Sequence, residues 1–183
     1  MKTFVEKIGD GDCEFHSVAK IINSVSDARI TTVDLRSICS NMMRDKSYIT
    51  NEQLRIIRVA YQEDRADEKW THRSDMDDIS ISRYRKRVSK AVLEKGFWGD
   101  QVTLNMLSYH FKIDFWVIDE SCHVIHTTPS LSNDLALLYL HNMHYSPIRL
   151  TTAFESGFVL DIENPTVRRV LKRLLQKKKK EMK

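Results

Sequence analysis

Cys13 follows the run Gly9-Asp10-Gly11-Asp12 and opens a pattern in which Phe15, Val18, Ala19 and Ile22 recur at i, i+3, i+4 and i+7. A glycine-rich turn therefore becomes an amphipathic helix at a thiol. A thiol attacks as its thiolate, and an ordinary cysteine, with a pKa near about 8.5, is mostly protonated at neutral pH. A helix N-terminus and a neighbouring imidazolium both favour the anion. The position of Cys13 supplies the first. Backbone N–H groups of Gly11, Asp12 and Cys13 around the turn can converge on one point, which is what an oxyanion hole needs. Gly11 can take backbone angles closed to other residues.

The second requirement is an imidazole. Of the seven histidines, His144 follows an apolar strand pattern and precedes Tyr145. His141 lies three residues away. In an extended chain that odd separation puts the two on opposite faces, so they are not expected to share a role. His16, one turn after Cys13, has no second ligand pair to complete a metal site, and reads as structural or substrate-positioning. Neither a metal nor a cofactor is expected. There are three cysteines and no CxxC pair, which excludes a four-cysteine zinc site and argues against a disulfide framework. Cys39, among Ile38, Met42 and Met43, and Cys122, in a turn, read as structural thiols.

These groups need a scaffold. A short strand is predicted over 4–8, and helices over 33–45, 51–65, 81–95 and 101–111. Thr50 with Gln53 fits a capping box, and Gly96 a C-cap. From Ile113 the period changes to β-rich segments at 113–118, 124–128, 137–140 and 145–150. The last two suggest a hairpin with His144 at its base, and the set reads as a meander. The fold class is α+β, a central, mostly antiparallel sheet flanked by helices. Asn164-Pro165 starts a last helix, with Val167, Val170, Leu171 and Leu174 as its apolar stripe. The expected organisation is a catalytic domain over 1–163 and a basic helix and tail over 164–183.

Charge is unevenly placed. The chain of 183 residues carries a formal +4, yet Arg168 to Lys183 holds nine Lys/Arg and one Glu. The remaining body is therefore mildly acidic, which does not suit a nucleic-acid platform. No apolar run is long enough to span a membrane, and Met1 to Lys7 reaches charge too soon for a signal peptide. A cytoplasmic protein is expected, in a host's cytoplasm if the chain is viral or a bacterial effector.

The segment Gly9-Asp10-Gly11-Asp12-Cys13-Glu14-Phe15-His16-Ser17-Val18-Ala19 resembles the cysteine box of the ovarian-tumour (OTU) family of deubiquitinating proteases. Gly96-Phe97-Trp98-Gly99-Asp100 resembles that family's Trp-Gly segment, Ile113 to Ile118 its next core strand, and His144-Tyr145 its histidine box. The resemblance spans about residues 4–150. It implies a papain-like fold with Cys13 as nucleophile and His144 as general base. It implies as partner ubiquitin or polyubiquitin, or a ubiquitin-like modifier, cleaved after its C-terminal glycine. By the same match Asp10 takes an active-site role, shaping the loop or orienting the catalytic pair.

Two departures from the family stand out. Ser146 occupies the position two after the histidine, where members often carry Asp or Asn. Either Ser146 suffices, or Asp10 or Asn142 orients the imidazole, or activity is reduced. Glu14 stands where an apolar residue is usual, and is expected to point outward, since a carboxylate facing the thiolate would raise its pKa. Asp100 and the acidic residues Asp75, Asp77 and Asp78 are candidates for binding the arginines of the ubiquitin tail, and Trp98 for walling its channel. The helical region 31–95 is where the ubiquitin body is expected to dock. The competing readings are a weak or inactive ubiquitin-binding module, a basic-tailed nucleic-acid binder, and a protease of ubiquitin-like modifiers.

Overall fold

The structure, a computed structural model, describes residues 2–3, 11–64, 76, 78–97, 99–151 and 156–181. A two-residue strand, β1 (Lys2–Thr3), precedes α1 (Cys13–Ile22), α2 (Thr32–Arg44), α3 (Asn51–Asp64), α4 (Ile81–Ala91) and α5 (Gln101–Phe111). Then come β2 (Asp114–Ile118), β3 (Val124–Thr127), β4 (Asp134–His141), β5 (His144–Thr151), β6 (Ser156–Gly157), β7 (Val159–Asp161) and α6 (Pro165–Glu181). The predicted strand over 4–8 lies outside the described residues.

Local chemistry explains the helix starts. The Thr50/Gln53 box forms in both directions, at 2.8 and 3.2 Å. Thr31 caps α2 in the same way with Asp34, a box the sequence reading overlooked. Asp100 caps α5, its Oδ1 accepting from the N–H groups of Val102 and Thr103 at 2.9 Å. The helix expected to run to Gly96 stops at Ala91 instead. Beyond it the chain turns tightly, and the carbonyls of Val92 and Phe97 accept from the Arg36 guanidinium.

The strands among the described residues form one sheet of seven, in the order β1-β5-β4-β2-β3, with β6 on β5 and β7 on β4. It is antiparallel except where β2 and β4 run parallel, from Asp114 opposite Leu135 to Ile118 opposite Tyr139. The expected meander is therefore corrected: β2, not β3, neighbours β4, because the chain crosses over after β3. One edge of β4 is divided, its first residues pairing with β7 and its last with β5.

Both faces of the sheet are covered. One carries the larger core, where Phe15, Leu35, Tyr84, Phe97, Leu104 and Phe115 are buried beneath the helices. The other carries Ile118, Val124, Leu135, Leu137, Ile148 and Leu160, packed against Val167 and Leu171 of α6. The last helix is thus a layer of the fold, set on the sheet by the stripe visible in its sequence. Burying each such side chain is worth about 1.5–3 kcal/mol. Among the described residues no helix is long and apolar enough to cross a membrane.

Candidate active site

Three elements meet at Cys13. It is the first residue of α1, buried at 8% exposure. Gly11 before it has φ 79°, a left-handed conformation that favours glycine. Asp12 is the N-cap residue, yet its side chain does not cap the helix. Its carboxylate accepts from Arg36 instead, from Nε at 2.8 Å and from a terminal nitrogen, in a fully buried pair. First-turn N–H groups of Cys13 and Glu14 are thereby left facing the thiol.

The opposite wall is the β4–β5 hairpin. The Cys13 Sγ lies 3.8 Å from the carbonyl oxygen of Met143, and the Tyr145 N–H also faces it. Ser17, one turn along α1, donates to the Tyr145 carbonyl at 3.0 Å and clamps helix to strand. The two backbone groups that touch the thiol flank His144. Burial pushes the Cys13 thiol up, the Tyr145 N–H pulls it part of the way back, and the charge of an ionised Glu14 pushes it up again.

His144 is half-buried, and its Nδ1 is buried without a hydrogen-bond partner among the described residues. Neither Ser146 nor Asn142 supplies one. Ser146 is buried in β5, two residues along from His144 and on the same face. Asn142 is exposed, with its Nδ2 3.0 Å from Nε2 of His141. Asp10 lies outside the described residues, as do Trp98, Asp75 and Asp77. Asp78 is exposed.

Two expectations are overturned. His141 and His144 are direct cross-strand partners across a two-residue turn, so their side chains share one face of the hairpin. The odd-separation rule fails because the chain reverses between them. What differs between them is bonding: His141 is held by Glu120 and Asn142 and stacks on Tyr139, while Nδ1 of His144 has no hydrogen-bond partner among the described residues. Glu14 does not point outward either. It is 0% exposed, and its Oε1 accepts from the Thr103 hydroxyl at 2.8 Å. Space for it comes from Gly99, where a Cβ would fall 2.6 Å from the Glu14 Cβ.

Asp100, a candidate for binding the ubiquitin tail, is used inside the protein. Besides capping α5, its carboxylate faces the Tyr61 hydroxyl, and burial pushes it up. Arg36 escaped the sequence reading altogether. Its guanidinium lies 4.2 Å over the Phe15 ring while bonding Asp12, Val92 and Phe97. No local signal marks it, since an arginine within a helix ordinarily reads as a solvated face.

The hairpin stores strain. Asn142 and Met143 have φ 47° and 65°, the paired left-handed conformation of a two-residue turn that favours Asn-Gly. Met143 is 43% exposed and adds nothing to the core. Met143→Gly is therefore expected to relieve about 1 kcal/mol and raise the Tm by about 2–4 °C. A thermal melt checks this; an unchanged or lower Tm would mean that the Met143 side chain makes contacts that offset the strain.

A family model described as OTU-like cysteine protease matches residues 8–151. No curated protein matches the chain in sequence. The fold is similar to an OTU domain solved in complex with ubiquitin, with TM-score 0.58, 17% identity, and 94% of this chain and 81% of that one covered. It is also similar to an OTU deubiquitinase from Wolbachia pipientis wMel, with TM-score 0.52, 15% identity, and 92% and 94% covered. A viral OTU domain protease from Farallon virus gives TM-score 0.52 at 14% identity, with 80% and 83% covered.

Proposed function

This chain belongs to the family of OTU-like cysteine proteases, and we propose that it is a deubiquitinase hydrolysing the isopeptide bond after the C-terminal glycine of ubiquitin or of a ubiquitin-like modifier. The observation that carries this reading is the seating of the Cys13 thiol against the two backbone groups that flank His144. In the proposed reaction the Cys13 thiolate adds to the isopeptide carbonyl. Backbone N–H groups of Gly11, Asp12 and Cys13 hold the developing oxyanion. His144 takes the thiol proton and delivers it to the departing lysine amine, and water then releases the acyl group. Asp10 is assigned the orientation of the pair, and Trp98 the wall of the tail channel.

The ubiquitin body is assigned to the helical region 31–95. Ile56 on α3 is 67% exposed there and lines a groove of about 530 Å³ together with Tyr48 and Tyr109. An exposed apolar groove of this kind suits a protein partner.

A ubiquitin carrying a C-terminal electrophile tests the reading. One covalent adduct is expected, lost in Cys13→Ala, and no adduct on the wild type would sink the enzyme reading. The Nδ1 of His144, buried without a hydrogen-bond partner among the described residues, favours a second reading, a ubiquitin-binding module with little or no activity. That reading predicts saturable ubiquitin binding with no adduct.

A further inference from the structure

Glu14 is the residue immediately after the thiol, and nothing in the reaction above uses it. It is fully buried in a site that contains another carboxylate, Asp100. Its Oε1 accepts from Thr103, while its Oε2 is buried without a partner among the described residues. Among the described residues no cation bonds it. Arg36 is near enough to act through its charge, but each of its three nitrogens already donates elsewhere, to Asp12 or to the carbonyls of Val92, Lys95 and Phe97. Burying an ionised carboxylate without a bonded counter-ion is prohibitive, whereas a protonated one is a compact polar group.

The surroundings are arranged around this group. Thr103 bonds Glu14 with its hydroxyl proton and accepts from the Asp100 N–H at 2.8 Å. Gly99 leaves the volume that Glu14 fills. The chain Glu14–Thr103–Asp100 therefore joins the first turn of α1, next to the residue that carries the thiol, to the first turn of α5. We propose that Glu14 is a positioning residue for Cys13, acting as a neutral carboxylic acid that ties the N-terminus of α1 to that of α5. The proposal rests on Cys13 being the nucleophile.

The titratable and charged groups around Glu14 come from every packed element. They are Asp100 of α5, Arg36 and Cys39 of α2, Tyr61 of α3, Tyr145 of β5, and Cys13 on its own helix. Burial, then Asp100, push the Glu14 carboxyl well above the usual range, against smaller opposing effects of Thr103 and Arg36. An ionised Glu14 would in turn raise the Cys13 thiol. Neutrality thus lets a carboxyl group sit beside the nucleophile without opposing the thiolate. The sign for stability follows. A folded-state pKa above the unfolded one stabilises fully below about pH 4.3, and that contribution is lost as pH rises through the folded value.

Two variants test this on the full chain, and the readouts that decide it, thermal melts and thiol alkylation, need no ubiquitin. Glu14→Gln keeps shape and hydrogen bonding but does not titrate. Its Tm is expected to gain on the wild type by roughly 3–5 °C per pH unit above about pH 4.3, until the folded pKa is reached. Its Cys13 alkylation profile with iodoacetamide should match the wild type near neutral pH. Glu14→Leu keeps volume but cuts the tie to Thr103. It is expected to shift the alkylation profile to higher pH and, on ubiquitin substrates, to lower kcat about tenfold with KM unchanged. A Tm difference between Glu14→Gln and wild type that is flat above pH 5, with an acid-shifted alkylation profile, would show an ionised carboxylate and overturn the proposal. Glu14→Leu with wild-type alkylation would overturn the positioning role. Failure of the deubiquitinase reading shows separately, as a wild type that forms no ubiquitin adduct.

Discussion

Cys13→Ala is expected to reduce cleavage of linkage-defined diubiquitins to the uncatalysed rate, and His144→Ala to lower kcat by about 10²–10⁴-fold. The two should not add, because a thiol and its base act as a unit. The series is most informative at the third position. Ser146→Ala and Asn142→Ala are expected to stay within a few-fold of wild type, because neither side chain bonds Nδ1 of His144. Asp10→Ala is expected to fall well below them. Because burial pushes the Cys13 thiol up, the thiolate is scarce at neutral pH, and kcat/KM should climb as pH rises through neutrality. Full activity in Cys13→Ala would remove the central assignment.

Arg36→Ala is the second large expected effect, and it falls on the fold. The substitution leaves the Asp12 carboxylate buried with its cation gone, and frees the carbonyls of Val92 and Phe97. Breaking a buried pair from one side costs about 3–5 kcal/mol, which for a chain of this length lowers the Tm by about 10 °C. Arg36→Lys should recover only part, since an ammonium cannot fork between the carboxylate and the carbonyls. Denaturant or thermal unfolding measures both. The loss should extend to the site, because Asp12 is the residue before the thiol and its side chain holds that turn in place.

The elements were legible where the signal is local. The bounds of the helix at 101–111, the capping box at Thr50 and the hairpin before His144 all follow from periodicity and turn chemistry within a few residues. Cys13 and His144 were marked as candidates through the resemblance of their flanking residues to one family, and the fold seats the thiol against the backbone on either side of His144. What was not legible is whatever depends on partners distant in sequence. The parallel pairing of β2 with β4 is a tertiary choice between strands that look alike. Glu14 reads as a surface acid until Gly99 and Thr103 are brought against it. Arg36 reads as a solvated helix residue until Asp12, 24 positions away, arrives beside it.

The contact between Cys13 and Met143 joins residues 130 positions apart. Closing a loop of that length costs roughly 4 kcal/mol of chain entropy by the logarithmic rule, before any contact across it offers a return. The hairpin forms from neighbours on the chain, and so does each helix, but the thiol and the hairpin that carries His144 meet only when nearly everything between them has found its place. Local order comes early in such a chain, and reactivity comes last. The appearance of an alkylation profile like that of the finished protein during refolding would therefore time the closing step of assembly, not the formation of any single element.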